Sequence, residues 1–189
     1  MINPTFFHAL RKDYSSHDIE RRKIIAASNN ILNDAKRTIF SIHRNDLKTA
    51  QASLTDIEQR IKKLQQDFGY SRLMEEGAYS AGVEEYIEAK MFYLVTTGKK
   101  VDKIKGIKLS ITSYLGGISD LTGEMLRQAI NEAAQGNTGK VEDTKKVIED
   151  IIAELLEFNL TGYLRTKYDQ ARNNLRKIEQ INYEINLKR

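Results

Sequence analysis

With 189 residues, 40% of them hydrophobic and 30% charged, the chain is long enough to bury one substantial core and too apolar for a disordered segment. The absence of cysteine excludes a disulfide framework and any thiolate metal site, and no run approaches the roughly 18–20 apolar residues that cross a bilayer. A formal charge of +4 and a pI near 9.1 permit a polyanionic partner without demanding one.

The first segment, MINPTFFHALRKDY, lacks the apolar core and cleavage site of a signal peptide, so a cytoplasmic location is expected. From there apolar residues recur at helical spacing almost throughout, with no convincing period-2 alternation. Ser15-Ser16-His17-Asp18 reads as a capping box opening a long helix to about Arg44. Asn45-Asp46 ends that helix and caps a second, about 46–67, which the Phe68-Gly69 break closes. A third spans about 70–96, followed by a linker with five lysines between Lys99 and Lys108. Helices over about 109–135, 139–158 and 162 to the end complete the chain. Six or seven helices with short connections predict an all-α antiparallel bundle forming a single domain over 1–189. Helices of this length leave apolar flanks that favour a homo-oligomer.

The third helix contains VEEYIEAKMFYLV, where three carboxylates interrupt an apolar run. At about 100° per residue, Glu84, Glu85 and Glu88 share one sector, and Met91, Phe92 and Val95 continue it. Carboxylates at the edge of a core have raised pKa values unless a cation compensates. Pairing with nearby lysines or arginines is the plain alternative. On the next helix, Asp120 and Glu124 lie nearly opposite a stripe formed by Ile111, Tyr114, Leu115, Ile118, Met125 and Ala129. That face could simply meet water, but it carries Gly116 and Gly117, with Gly123 nearby. Each glycine costs about 1 kcal/mol relative to alanine in a helix, so close approach of another helix or a ligand backbone explains them better. Glu85 and Glu88 on one helix with Asp120 and Glu124 on another could surround one cavity. Four such charges call for a divalent ion, and all-oxygen ligation selects Mg²⁺ or Mn²⁺. No Glu-x-x-His pair supports a di-iron site. Hard cations held this way activate water against phosphodiesters.

Three segments, AKRTIFSIHR (35–44), GVEEYIEA (82–89) and YLGGISDLTGEMLRQAIN (114–131), together resemble the translin family, and its translin-associated factor X branch more than translin itself. The likeness covers essentially the whole chain in order, including NLRKIEQINYEI (174–185). It implies about seven helices, a hollow octameric shell, binding of single-stranded RNA and DNA, and Mg²⁺-dependent RNA cleavage inside the shell. The family's acids fall on Glu85, Glu88, Asp120 and Glu124. One of these carboxylates could serve as general base, Glu88 being the first candidate, but the sequence does not choose among them. Glu84 has no counterpart and reads as a neighbour. Because translin itself lacks this acidic set, its retention here favours an enzyme. The short connection between the third and fourth helices resembles a compact prokaryotic or archaeal member, for which a homo-octamer is expected.

Basic residues supply candidate phosphate contacts. On the first helix Arg37 and Arg44 share one face, and Lys36 and His43 share another about 100° away; Arg21 and Arg22 form a second cluster. Solvated faces carry such residues freely. His43 could contact RNA or be a satisfied structural histidine, and Tyr86 reads as core rather than as a base-stacking platform. No motif for base-specific reading is present. The expected function is a Mg²⁺-dependent endoribonuclease on single-stranded RNA, the alternative a non-catalytic translin-like binding protein.

Overall fold

Asn3 and Pro4 set where the first helix begins. Asn3 Oδ1 accepts from the backbone N–H groups of Thr5 (3.1 Å) and Phe6 (3.3 Å), and Pro4 occupies the first turn, where its missing N–H costs nothing. The structure, a computed structural model, describes residues 2–187. Seven helices follow in order: α1 (Pro4–His43), α2 (Leu47–Phe68), α3 (Tyr70–Leu73), α4 (Gly77–Thr96), α5 (Ile111–Ala134), α6 (Gly139–Leu156) and α7 (Gly162–Leu187). There is no strand among the described residues, and none of their helices is long and apolar enough to cross a membrane.

Two expectations are corrected. Ser15–Asp18 does not open a helix, because the helix has already been capped upstream. Ser15 Oγ instead donates to the Arg11 carbonyl at 2.8 Å, and Asp18 pairs with Arg22 at 2.5 Å within the continuous α1. The helix expected over 70–96 is broken at 74–76, leaving the single turn α3 before α4. Elsewhere the local signals hold. Asp46 accepts from the Thr49 N–H at 3.1 Å to cap α2, and Gly69, at φ +77°, makes the left-handed closure that a side chain would resist.

The direction of each helix is set by its pairings. Asp34 of α1 meets Arg60 of α2, and Thr38 meets Ser53, so this pair is antiparallel. Gln65, Glu58 and Gln51 of α2 meet Tyr79, Tyr86 and Tyr93 of α4, again antiparallel. Segment 97–110 then carries the chain back along the bundle. Gln65 clasps it, donating to the Lys108 carbonyl at 2.6 Å and accepting from the Lys108 N–H at 3.0 Å. As a result α5 runs parallel to α4, with Gly116 beside Glu84 and Gly117 beside Ile87. Helices α6 and α7 pair antiparallel, Asn182 reaching Glu142 and Leu155 packing with Tyr168.

Helix α4 is the hub, packed by α1, α2 and α5. Tyr79, Tyr86, Ile87, Met91 and Phe92 are fully buried, so its acids interrupt a largely apolar surface. Tyr86 is core, its hydroxyl donating to Glu58 Oε2 at 3.0 Å. The opposite extreme is the start of α1, where residues 2–16 are exposed and carry Phe6, Phe7, Leu10 and Tyr14 on their surface.

Candidate active site

Small residues bring α4 and α5 together. A Cβ at Gly117 would lie 2.8 Å from Ile87 Cγ2 and 2.9 Å from the Glu84 carbonyl oxygen; one at Gly116 would collide with Glu84 Oε2. At Gly117 the neighbours are backbone and Ile87, so that glycine permits the crossing; at Gly116 the neighbour is the end of the Glu84 side chain, so that glycine leaves the space in which the carboxylate sits. The close approach expected at Gly116 and Gly117 is therefore present, and this face is an interface rather than a water-facing surface: Ser113, Gly116 and Gly117 are buried, while Ile111, assigned to the apolar stripe, is 75% exposed. Gly123 differs from its neighbours. A Cβ there would meet only Asn174 Nδ2, at an ordinary 3.5 Å, so close approach does not account for it.

The crossing gathers all four candidate acids, but they are not equivalent. On α5, Asp120 contacts Lys167 of α7, whose Nζ also lies 2.9 Å from Glu84 Oε1. Tyr163, one turn earlier on α7, donates its hydroxyl to the same Glu84 oxygen. Glu124 lies 2.5 Å from His43 Nε2 and 3.5 Å from Arg127 Nη1. The His43 side chain is only 6% exposed and its ring packs on Phe92 at 4.9 Å. Because an ionised carboxylate only accepts, this pairing places a proton on Nε2 and leaves the buried Nδ1 without a partner.

Helix α4 presents the contrasting pair. Neither Glu85 nor Glu88 takes part in a hydrogen bond or ion pair among the described residues, although Glu88 is 8% exposed. Burial, reinforced by the charges of Glu85, Asp120 and Glu124, pushes the Glu88 carboxyl up to about 9. Burial also raises Glu85, with Lys36 opposing it, and raises Asp120, with Lys167 opposing it. Burial alone would lower the ammonium of Lys167, yet its contacts with Asp120 and Glu84 outweigh that and hold it above its usual value. Lys167 and Asp120 are in direct contact as an ion pair. The hydrogen bond to His43, by contrast, takes Glu124 below the ordinary glutamate value despite its burial.

Chemically, the donor set fits a hard divalent cation. It is all oxygen, it repels itself, and one buried carboxylate has no partner. As the side chains stand, no three His, Asp or Glu donors among the described residues are arranged to hold a metal ion. Glu84, Glu85, Asp120, Tyr163 and Lys167 instead line a cavity of about 580 Å³ between α4, α5 and α7. His43 and Arg44 border a second groove of about 730 Å³ with Gln128, Asn131 and Lys140.

The basic candidates divide along the helix faces. Lys36 is near enough to act on Glu85, and His43 reaches Glu124, so that face of α1 addresses the acids. Arg37 points elsewhere, pairing with Asp34 at 3.2 Å, and the Arg44 guanidinium lies over the Phe40 ring at 4.4 Å. Arg21 and Arg22 are far from the crossing along α1 and pair with Glu76 and Asp18. Lys167 and Tyr163 were not anticipated: one lysine and one tyrosine on a polar helix, more than 40 residues beyond Asp120, give no local signal.

Comparison with known proteins gives a consistent fold. The translin family model matches residues 19–189. An uncharacterised protein of Methanocaldococcus jannaschii is 27% identical over 168 residues, covering 86% of this chain and 75% of that protein. Translin-associated protein X of Mus musculus is 21% identical over 225 residues, covering 96% and 78%. Among solved structures, apo-NeC3PO superposes with a TM-score of 0.84 at 24% identity, covering 95% and 96% of the chains. AfC3PO, solved with duplex RNA, superposes with a TM-score of 0.85 at 19% identity, covering 97% of both.

Proposed function

The chain belongs to the translin family, and on that premise we propose that it is a Mg²⁺- or Mn²⁺-dependent endoribonuclease, acting on single-stranded RNA in the cytoplasm within a homo-octameric shell that also binds single-stranded DNA. The observation that carries the reading is Glu88. A carboxylate buried among three others, on the hub helix, with no internal partner, is costly unless something binds it. Glu85, Glu88, Asp120 and Glu124 would hold the cation. Bound there, it would lower the pKa of a water and offset charge developing on the phosphate.

The chain's own groups do the remaining work. His43, wedged against Phe92, fixes the Glu124 carboxylate from behind. Lys36 and Lys167 bring positive charge to an otherwise repulsive site where a phosphate must approach. The wall of buried α4 side chains limits water at Glu88, which keeps its proton at neutral pH until a cation replaces it. That AfC3PO was solved with duplex RNA supports RNA as the substrate class, without selecting the single strand over the duplex. The exposed apolar residues at the start of α1 support self-association, since unpartnered stripes of this kind mark contact surfaces.

The rival is a non-catalytic single-strand-binding protein. It is favoured by the partners that Asp120 and Glu124 already have. Incubating labelled single-stranded RNA, and its duplex, with protein plus Mg²⁺ or EDTA separates the two. Cleavage that needs Mg²⁺ and is lost in Glu88→Gln with binding retained is the expected result. Cleavage that survives the substitution, or binding without any cleavage, selects the rival.

A further inference from the structure

Lys167 stands where a cation is expected, and its surroundings explain why four acids lie in range of one another while no three converge. Its Nζ touches Asp120 Oδ2 and lies 2.9 Å from Glu84 Oε1. The side chains of Lys167, Asp120 and Glu84 are 18%, 26% and 14% exposed, so water replaces little of this pairing. The two carboxylates holding the ammonium are not alike. Glu84 is fixed from two sides, by the Tyr163 hydroxyl and by the space that Gly116 leaves for Oε2. Among the described residues Asp120 has Lys167 as its one ion-pair partner, and it faces the same cluster as Glu85 and Glu88.

Resting on the cation site proposed above, we infer that Lys167 is the resident counter-ion of that site: its ammonium holds Asp120 until a divalent cation takes the carboxylate, and then remains on Glu84 and Tyr163. An ammonium at hydrogen-bond distance occupies an oxygen that a hard cation needs, and two cations cannot share it without strong repulsion. Lys167 and the metal therefore compete for Asp120. Glu84, with no ligand role, acquires one as the lysine's anchor, and Gly116 one as the space that seats it. The competition opposes occupation by weakly held cations and keeps the cluster folded when none is present.

The test measures Mn²⁺ binding by electron paramagnetic resonance on the full chain without RNA. Lys167→Met is compared with wild type and with Lys36→Met, which removes an equal charge that acts on Glu85 without an ion pair. Removing a direct competitor tightens Mn²⁺ binding by about tenfold or more, within the usual range for coupled sites, and by clearly more than Lys36→Met does. An equal shift in the two variants reduces Lys167 to a general field effect and overturns the proposal. If Lys167→Met does not fold, Lys167→Arg carries the test. A guanidinium that forks onto Asp120 weakens Mn²⁺ binding relative to wild type, and unchanged or tighter binding overturns the proposal. Absence of Mn²⁺ binding in every variant, wild type included, sinks the cation site itself, an outcome distinct from failure of the competition.

Discussion

The acids of α5 and the acids of α4 face one another across the same crossing, yet the protein treats them differently. Asp120 and Glu124 have internal partners, Lys167 and His43, each held by further contacts. Glu85 and Glu88 have none among the described residues, although Glu88 is the most buried of the four. On the proposed reading, the acids of α5 are held ready by internal cations and those of α4 are left for the ligand that all four would share. A cluster serving stability alone would pair its most buried member first, because a buried acid without a partner must either carry an uncompensated charge or hold its proton against the solvent pH.

The largest effect that would sharpen this contrast is on activity. Glu88→Gln should lower RNA cleavage by about 10²- to 10⁴-fold, the usual contribution of a group handling a proton at the reacting centre, with RNA retention in a filter assay unchanged; comparable cleavage would break it. Next is the crossing. Gly117→Ala forces a Cβ against backbone and Ile87, so urea unfolding should show a loss of about 1–3 kcal/mol; a neutral result would mean the helices are less tightly apposed than described.

Two pH effects of opposite sign follow, both read in metal-free protein by thermal melts. Glu88 in the folded state keeps its proton to about pH 9, whereas the unfolded chain releases it near the ordinary glutamate value of 4.5. The folded state thus binds more protons across that window, and stability falls as pH rises through it. Glu88→Gln should remove this decline and melt increasingly above wild type from pH 5 to 9. Glu124 behaves oppositely: its folded pKa is depressed, so its contribution is present above about pH 4.5 and lost as pH falls through the folded value. Glu124→Gln should therefore melt below wild type at neutral pH and converge with it in acid. Matching pH responses of the two variants would erase the distinction between the helices. The smallest effect is expected at Gly123→Ala, which meets no crowding and should gain up to about 1 kcal/mol.

Much of this was legible from local pattern. Most of the helices, the Asp46 cap, the acids of α4 and the close approach at Gly116 and Gly117 follow from periodicity and from the cost of glycine in a helix, whereas the start of α1, the break at 74–76 and the open surroundings of Gly123 do not. The Asn3-Pro4 start was readable instead as a capping side chain followed by proline, but the exposed apolar residues after it masked the signal. What local pattern does not carry is direction and distant partnership. Nothing in 97–110 reveals that it returns along the bundle and makes α5 parallel to α4; that depends on Gln65, more than 30 residues away. Likewise Lys167 and Tyr163 become part of the site only through the packing of α7 on α5, and His43 finds Glu124 only because α1 lies beside α4.

The central claim is that the unpaired acids of α4 await a divalent cation shared with α5. Anomalous diffraction from crystals soaked in Mn²⁺ tests it most directly. The account predicts one strong peak within ligand distance of Glu88 and Asp120, with Lys167 withdrawn from Asp120 onto Glu84. A soaked crystal without a peak at the crossing, with Lys167 still on Asp120 and Glu88 still unpaired, would contradict it.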